Sequence, residues 1–178
     1  TQVLNSANLG MLPRLPDTFD EIRSIAVATN ADLTRDVFTG TKANEEIVKK
    51  LKLSGYKVVI FATHGLVPGD LDGLRQPALA LSTPKLGGHG GDGLLTMDEI
   101  LSLKLDADWV VLSACNTASA EGAGAEAFSG LGRAFFYAGT RAMLLSNWPV
   151  ETTSTRKLTT DLFSRQAKDK TLSRARAL

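Results

Sequence analysis

The sequence predicts an α/β fold in which a mostly parallel sheet lies between two layers of helices. Apolar segments with strand composition alternate with segments of helical periodicity, and this alternation is typical of parallel sheets with crossover helices. The predicted strands 57–63 and 109–113 consist largely of consecutive apolar residues, as expected of central strands that helices cover on both faces. The chain has 178 residues, 43% of them apolar, which is enough for one domain with a buried core.

The elements before the first of these strands follow from capping patterns and periodicity. Residues 1–16 are irregular. Thr18-Phe-Asp-Glu21 matches a capping box, and apolar residues at helical spacing accompany it, which predicts a helix over 18–30. The next predicted elements are a short strand at 35–38 and a helix over 43–53 that Thr41 opens and Gly55 ends.

Loops, strands and helices alternate after the first central strand. Thr96-Met-Asp-Glu99 is a second capping box and predicts a helix that ends near residue 103. The glycine cluster at 87–93 is interpreted as a flexible loop or lid. The other predicted elements are strands at 77–82, 109–113 and 141–146, a helix over 124–138 that Gly139 stops, and helices over 152–166 and 172–178.

Composition argues against several classes of function. The chain carries 20 basic and 19 acidic residues, so it shows no electrostatic footprint for nucleic acid or an anionic membrane. No apolar run is long enough to span a bilayer, and no signal peptide is visible. The single cysteine cannot form an internal disulfide, which fits a reducing, cytoplasmic setting. His89 has no partners at metal-ligand spacing and no phosphate motif is complete, so no metal or cofactor is expected.

One thiol and one imidazole follow the two central strands. His64 comes directly after the strand at 57–63, and Cys115 follows the strand at 109–113, 51 positions later (115 − 64). A thiol becomes a strong nucleophile when a neighbouring base takes its proton, and the ends of strands in open α/β sheets are where ligands bind. A lone cysteine more often fills space in a core, but small residues flank Cys115 and leave room for a substrate. The pattern therefore favours a cysteine hydrolase.

Several stretches in the same order resemble the CHAT family of caspase-like domains, which are often associated with tetratricopeptide repeats in bacteria. The resemblance covers nearly the whole chain from about residue 10. It is carried by Leu12-Pro-Arg-Leu-Pro16, Phe61-Ala-Thr-His-Gly65, Asp92-Gly-Leu-Leu-Thr96, Val110-Val-Leu-Ser-Ala-Cys-Asn-Thr117, Gly130-Leu-Gly-Arg-Ala-Phe135 and Ser146-Asn-Trp-Pro-Val150.

The resemblance implies a single caspase-like three-layer α/β/α domain over residues 1–178, the catalytic portion of a longer protein. It implies cysteine endopeptidase chemistry on protein or peptide substrates, with His64 and Cys115 on the family's catalytic positions. The expected partner is a tetratricopeptide-repeat or other regulatory module, in cis or in trans. The backbone amides of Gly65 and Cys115 are expected to form the oxyanion hole. In the absence of an obvious acidic third member, a backbone carbonyl is expected to orient His64.

The substrate-binding residues are expected near the same strand ends. Ser113 lies two positions before Cys115, where caspase-like peptidases line the pocket for the side chain that precedes the cleaved bond. Because Ser113 is uncharged, a preference for a basic residue would need an acid from a loop, and Asp70, Asp72 and Asp92 are the candidates. The segment containing Ser146, Asn147 and Trp148 is expected to pair with an extended substrate strand.

Two other functions stay open at this point. The first is a catalytically silent caspase-like module that serves as an interaction platform, and the presence of both His64 and Cys115 argues against it. The second is a nucleotide-binding α/β domain, which has the same architecture. The absence of a phosphate motif after the first central strand disfavours it.

Overall fold

A computed structural model describes residues 9–83, 91–113, 123–145 and 152–177. The chain divides into two compact units. The larger comprises residues 1–13 and 40–149, and the smaller comprises residues 14–39 and 150–178. The α/β class predicted from the sequence is confirmed, because helices accompany a parallel sheet within the larger unit.

Strands and helices are numbered in chain order within the described residues. The strands are β1 (Val58–Ala62), β2 (Gly65–Leu66), β3 (Ala78–Ala80), β4 (Leu94–Thr96), β5 (Trp109–Ser113) and β6 (Met143–Leu145). The α-helices are α1 (Asp17–Ala28), α2 (Glu45–Lys50), α3 (Met97–Leu101), α4 (Ala123–Ala138), α5 (Thr152–Lys168) and α6 (Arg174–Ala177). Short 3-10 turns cover Leu9–Met11, Gly40–Lys42 and Leu53–Gly55.

The parallel sheet has the strand order β1-β5-β6. Val58 pairs with Trp109 and Ala62 pairs with Ser113, while β6 pairs with the other side of β5. All residues of β5 are buried, so the prediction of a central strand is confirmed for it. The same prediction is wrong for β1, which is an edge among the described strands and is mostly half-buried.

A second, antiparallel sheet has the order β2-β3-β4. Of its strands the sequence predicts only β3. β2 has two residues, too few to show a two-residue period, and β4 is a three-residue run between the glycine cluster and the capping box at Thr96. The expectation of one mostly parallel sheet is therefore corrected: the described strands form one parallel and one antiparallel sheet. Both lie in the larger unit.

The main core of the larger unit lies between the parallel sheet and helices α3 and α4. The rings of Phe61 and Phe135 pack there with centroids 5.7 Å apart. Gly139 ends α4 as predicted, with φ +111°, and an added Cβ would lie 2.3 Å from the carbonyl oxygen of Leu105. A smaller apolar cluster lies against the antiparallel sheet and contains Leu9, Leu66, Leu74, Ala78, Ala80 and Leu94.

One of three predicted helix N-termini has the capping that the sequence pattern indicates. The capping box of Thr96 and Glu99 is confirmed, but the one predicted at Thr18 is wrong. The Thr18 hydroxyl donates to the Leu15 carbonyl instead, and no side chain caps α1. The predicted opening by Thr41 is also wrong, because the side chain of Asn44 caps α2 and accepts the N–H of Ile47.

The remaining predicted elements differ mainly in their bounds. Residues 35–38 are not a strand. Helix α2 ends at Lys50, and a 3-10 turn follows it. In the smaller unit α1 packs along α5, with Ile25 and Phe163 among its buried residues. No helix in the described part of the chain is long and apolar enough to cross a bilayer.

Candidate active site

The pairing of β1 with β5 has the same offset as the two predicted reactive residues. Val58 pairs with Trp109, an offset of 51 positions (109 − 58), and the offset persists to Ala62 and Ser113. His64 and Cys115 are also 51 positions apart (115 − 64). The ladder continues one residue past β1, because the N–H of Thr63 donates to the carbonyl of Ser113 at 3.2 Å. Cys115 itself lies outside the described residues.

The imidazole of His64 is buried, with 7% of the residue exposed, and contacts a backbone carbonyl. Its Nε2 lies 2.7 Å from the carbonyl oxygen of Pro13. Because a carbonyl only accepts hydrogen bonds, Nε2 must carry a proton, and a neutral ring then keeps its lone pair on Nδ1. This contact agrees with the expectation that a backbone carbonyl orients His64. Pro13 belongs to the proline-containing stretch that the sequence singled out.

The backbone around His64 is held by β3. The carbonyl of His64 accepts the N–H of Ala80 at 2.9 Å, and the hydroxyl of Thr63 donates to the Ala80 carbonyl at 2.5 Å. Gly65 is paired with Leu79. Because the Ala80–His64 bond flanks that pair, Gly65 and Leu79 form a non-hydrogen-bonded pair of the antiparallel ladder. The N–H of Gly65 is therefore directed away from β3.

Asp92 lies just before β4 at the end of the glycine cluster. It is half-buried, and its Oδ1 accepts the N–H of Leu94 at 2.9 Å. Leu94 pairs with Ala80, whose N–H donates to the His64 carbonyl. Asp92 and His64 therefore lie near the same end of the antiparallel sheet, where β4 begins. The proposed lid residues 87–90, with His89, lie outside the described residues.

A buried carboxylate that the sequence analysis missed holds the end of the glycine cluster. Glu45 is 2% exposed, and its Oε2 accepts the N–H of Gly93 at 2.6 Å. Its Oε1 accepts the Lys49 ammonium at 2.8 Å. The signal was present in the sequence as a Glu and a Lys four positions apart on a helix, a spacing that brings the two side chains together.

Lys49 connects Glu45 to the capping box of α3. Its Nζ lies 2.6 Å from Glu99 Oε1, while Glu99 Oε2 accepts both the N–H and the hydroxyl of Thr96. Burial raises the pKa of Glu99, but the hydrogen bonds from Lys49 and Thr96 outweigh it, so the pKa lies below its ordinary value. Burial lowers the pKa of Lys49, but its bonds to Glu45 and Glu99 outweigh this effect and raise it overall.

The other predicted substrate-binding residues divide into two groups. Ser113 is buried at the end of β5 and is paired with Ala62. Ser146, Asn147 and Trp148 lie outside the described residues. Within the ranges that the structure describes, no group of three His, Cys, Asp or Glu side chains could hold a metal ion.

Comparison with known families shows which family this chain belongs to. The family model described as CHAT domain matches residues 3–178. No curated protein matches the chain. The match therefore extends over the segment that carries Pro13, both sheets and the strand that precedes Cys115.

Proposed function

Since this chain belongs to the CHAT domain family, a caspase-like, peptidase-related family, we propose that it is a cysteine endopeptidase with His64 and Cys115 as its dyad. The shared offset of 51 positions is the observation that carries the proposal. Neighbouring strands lie about 4.8 Å apart. If the parallel register continues past Ala62 and Ser113, the imidazole and the thiol are direct neighbours at the carboxyl ends of two adjacent strands.

The arrangement of His64 supports its role as a base. With the Nε2 proton donated to the Pro13 carbonyl, Nδ1 is free to take the proton of the Cys115 thiol. The thiolate sulfur attacks the peptide carbonyl carbon, and the π electrons of that carbonyl move onto its oxygen. The tetrahedral intermediate collapses, and the amine leaves with the proton from His64. A water that His64 deprotonates then hydrolyses the thioester.

The oxyanion is proposed to lie between the N–H groups of Gly65 and Cys115. The amide of Gly65 supports this role because the pairing pattern directs it away from β3. Loss of one such donor lowers kcat by about two to three powers of ten. The Gly65 residue is buried, so the donor would act where water screens it little.

The substrate groove is proposed to follow the same strand ends. Ser113 and Asp92 would line the pocket for the residue before the cleaved bond, and the segment with Ser146, Asn147 and Trp148 would pair with the extended substrate. The proposal includes a caspase-like three-layer arrangement, a cytoplasmic setting, and control by a tetratricopeptide-repeat or other regulatory module in cis or in trans.

A thiol probe tests the dyad directly. Because Cys115 is the only cysteine, alkylation by iodoacetamide reports on one thiol. We expect the rate at pH 7 to fall about 10²-fold or more in His64→Ala, in line with the contribution of a positioned base, and to stay unchanged in His89→Ala. Slow labelling that His64→Ala leaves unaltered would contradict the dyad and favour the silent interaction module.

Peptidase activity needs its own measurement. A peptide library is incubated with the wild type and with Cys115→Ala, and the products are identified by mass spectrometry. We expect cleavage only by the wild type. Cleavage that persists at the same sites in Cys115→Ala would show that another group, or a contaminant, cuts the peptides.

A further inference from the structure

The carbonyl that orients His64 belongs to a short segment with one deeply buried anchor. Leu9 is 7% exposed and lies in the apolar cluster on the antiparallel sheet, whereas Met11 is 82% exposed. Leu12 packs only at the edge of that cluster. The N–H of Leu12 donates to the Leu9 carbonyl at 3.2 Å, which closes a turn immediately before Pro13. The position of the Pro13 carbonyl therefore depends on how the Leu9 side chain packs in the cluster.

The same cluster also contains a residue of β2, the strand that directly follows the histidine. Leu66 lies two residues after His64 in β2, and it is buried in the cluster together with Leu9. The donor and the acceptor of the His64–Pro13 hydrogen bond are thus each connected, over a few residues, to one apolar cluster. Side chains in such a cluster transmit displacement because protein interiors are close-packed.

The side chain of Leu9 packs closely against the backbone of Gly93. A Cβ added to Gly93 would lie 3.0 Å from Leu9 Cδ1 and 2.7 Å from Thr83 Cγ2. Gly93 in turn donates its N–H to the buried Glu45 carboxylate. Leu9 therefore packs against backbone that a hydrogen bond fixes, and its side chain has a defined position.

We propose that Leu9 is a positioning residue for the His64 imidazole and acts through the Pro13 carbonyl. The inference rests on the proposed function for its consequence in catalysis. When the Leu9 side chain is shortened, the segment Leu9–Pro13 loses its anchor and the carbonyl moves away from Nε2. The ring then no longer has a partner that selects the Nε2-protonated form, and Nδ1 is protonated in part of the molecules. A displacement of about 1 Å at a reacting group lowers a rate by up to about 10²-fold.

The tautomer of His64 is the decisive readout, because loss of packing alone does not change which nitrogen carries the proton. The full chain is labelled with ¹⁵N-histidine, and long-range ¹H–¹⁵N spectra are recorded near pH 8.5. The two histidine signals are assigned with the variant His89→Gln. We expect the Nε2-protonated form in the wild type and a mixture of both forms in Leu9→Ala. Iodoacetamide labelling of Cys115 should slow about 10-fold to 10²-fold in parallel.

Three control variants separate positioning from general packing. Met11→Ala removes apolar atoms from the same segment but from an exposed side chain. Leu74→Ala removes them from the same cluster at a residue outside the segment Leu9–Pro13. Both should keep the Nε2-protonated form, and Leu9→Met should restore it. Should Leu9→Ala not fold, Leu9→Val replaces it.

Two outcomes would overturn the proposal. A folded Leu9→Ala protein that keeps the pure Nε2-protonated form would remove the role of Leu9, and a mixture in Leu74→Ala as well would reduce that role to general packing. The spectra need no substrate. A tautomer change in Leu9→Ala together with thiol labelling that is insensitive to His64→Ala would uphold the positioning role and refute the proposed dyad.

Discussion

The carboxylate of Glu45 accepts the backbone N–H of Gly93 at 2.6 Å, in a buried position. The same oxygen, Oε2, would lie 2.0 Å from a Cβ built on Gly91, whose φ is +81°. Gly91 is therefore required by the Glu45 carboxylate as well as by its backbone conformation, whereas Gly93 is required by its φ of +89° and by the side chains of Thr83 and Leu9. The glycine content of this cluster predicts a flexible loop, but its described end is held by the Glu45 carboxylate.

Replacement of Gly91 by Ala should destabilise the protein strongly. The new Cβ meets the Glu45 carboxylate, and the backbone conformation is unfavourable for Ala, so we expect a loss of about 3 kcal/mol in the free energy of unfolding. Urea unfolding followed by tryptophan fluorescence measures it. The matched control is Gly69→Ala, which shares the positive φ but has no atom within 4 Å of the added Cβ. It should lose only about 1 kcal/mol, and equal losses would show that Glu45 moves aside freely.

The charge of Glu45 should matter more than that of its neighbour Glu46. Glu45→Gln keeps an acceptor for the Gly93 amide but removes the charge that Lys49 contacts. We expect a loss of about 2 kcal/mol, because hydrogen bonds to charged groups are worth about 1.5–3 kcal/mol. Glu46→Gln removes a carboxylate that pairs with Lys50 at the same helical spacing in a more exposed position, and should cost less than about 1 kcal/mol. Similar unfolding midpoints for the two variants would contradict this.

Local sequence patterns predicted the elements that are long and regular. Helix α4 and strand β5 cover the whole of their predicted ranges, because the 16-residue helix has a clear helical period and the buried strand is a continuous run of mostly apolar residues. Two identical capping patterns had different outcomes. Thr96 and Glu99 form the capping box, whereas Glu21 lies 138 positions from the hydroxyl that contacts it, that of Thr159. No local pattern contains such a long-range contact.

The candidate site was predictable to a similar extent. The spacing of His64 and Cys115 matches the register of the parallel strands, because each residue lies two positions after the last residue of its strand and the strands pair without a shift. The partner of His64 could be anticipated only as a backbone carbonyl, because any residue supplies one. Its identity as Pro13 depends on how Leu9 packs on the antiparallel sheet, and the sequence predicts only β3 among the three strands of that sheet.

Acid should weaken the protein partly through Glu99. Burial raises the pKa of this carboxyl, but hydrogen bonds from Lys49 and Thr96 lower it below its ordinary value of 4.5. Between the two pKa values the unfolded chain binds more protons than the folded chain, so this contribution is complete above about pH 5.5 and is lost as the pH falls. We expect the urea midpoint of the wild type to drop further between about pH 5.5 and pH 3.5 than that of Glu99→Gln.

The pKa values of two other carboxyls are also lowered, so these carboxyls add to the acid response of both proteins compared. Hydrogen bonds from Thr34 and Thr171 lower the pKa values of Asp32 and Asp169 respectively. Both aspartates are present in the wild type and in Glu99→Gln, so the difference between the two pH profiles isolates Glu99. Parallel profiles would show that Glu99 contributes nothing to the acid response.

Adjacent threonines on α5 should respond in opposite directions to the same substitution. The hydroxyl of Thr159 lies 3.0 Å from Glu21 Oε1 and 2.9 Å from the Thr155 carbonyl oxygen, and both Thr159 and Glu21 are buried. Thr159→Val removes this shared hydroxyl and should cost about 1–3 kcal/mol. The buried hydroxyl of Thr160 has no partner in the part of the chain that the structure describes. Thr160→Val should therefore be neutral or stabilising by up to about 1 kcal/mol, since an unpaired polar atom is replaced by an apolar one.

Val and Thr are both β-branched, so helix propensity changes little in either variant. Urea unfolding measures both, and an equal loss in the two variants would show that the contact with Glu21 adds no stability.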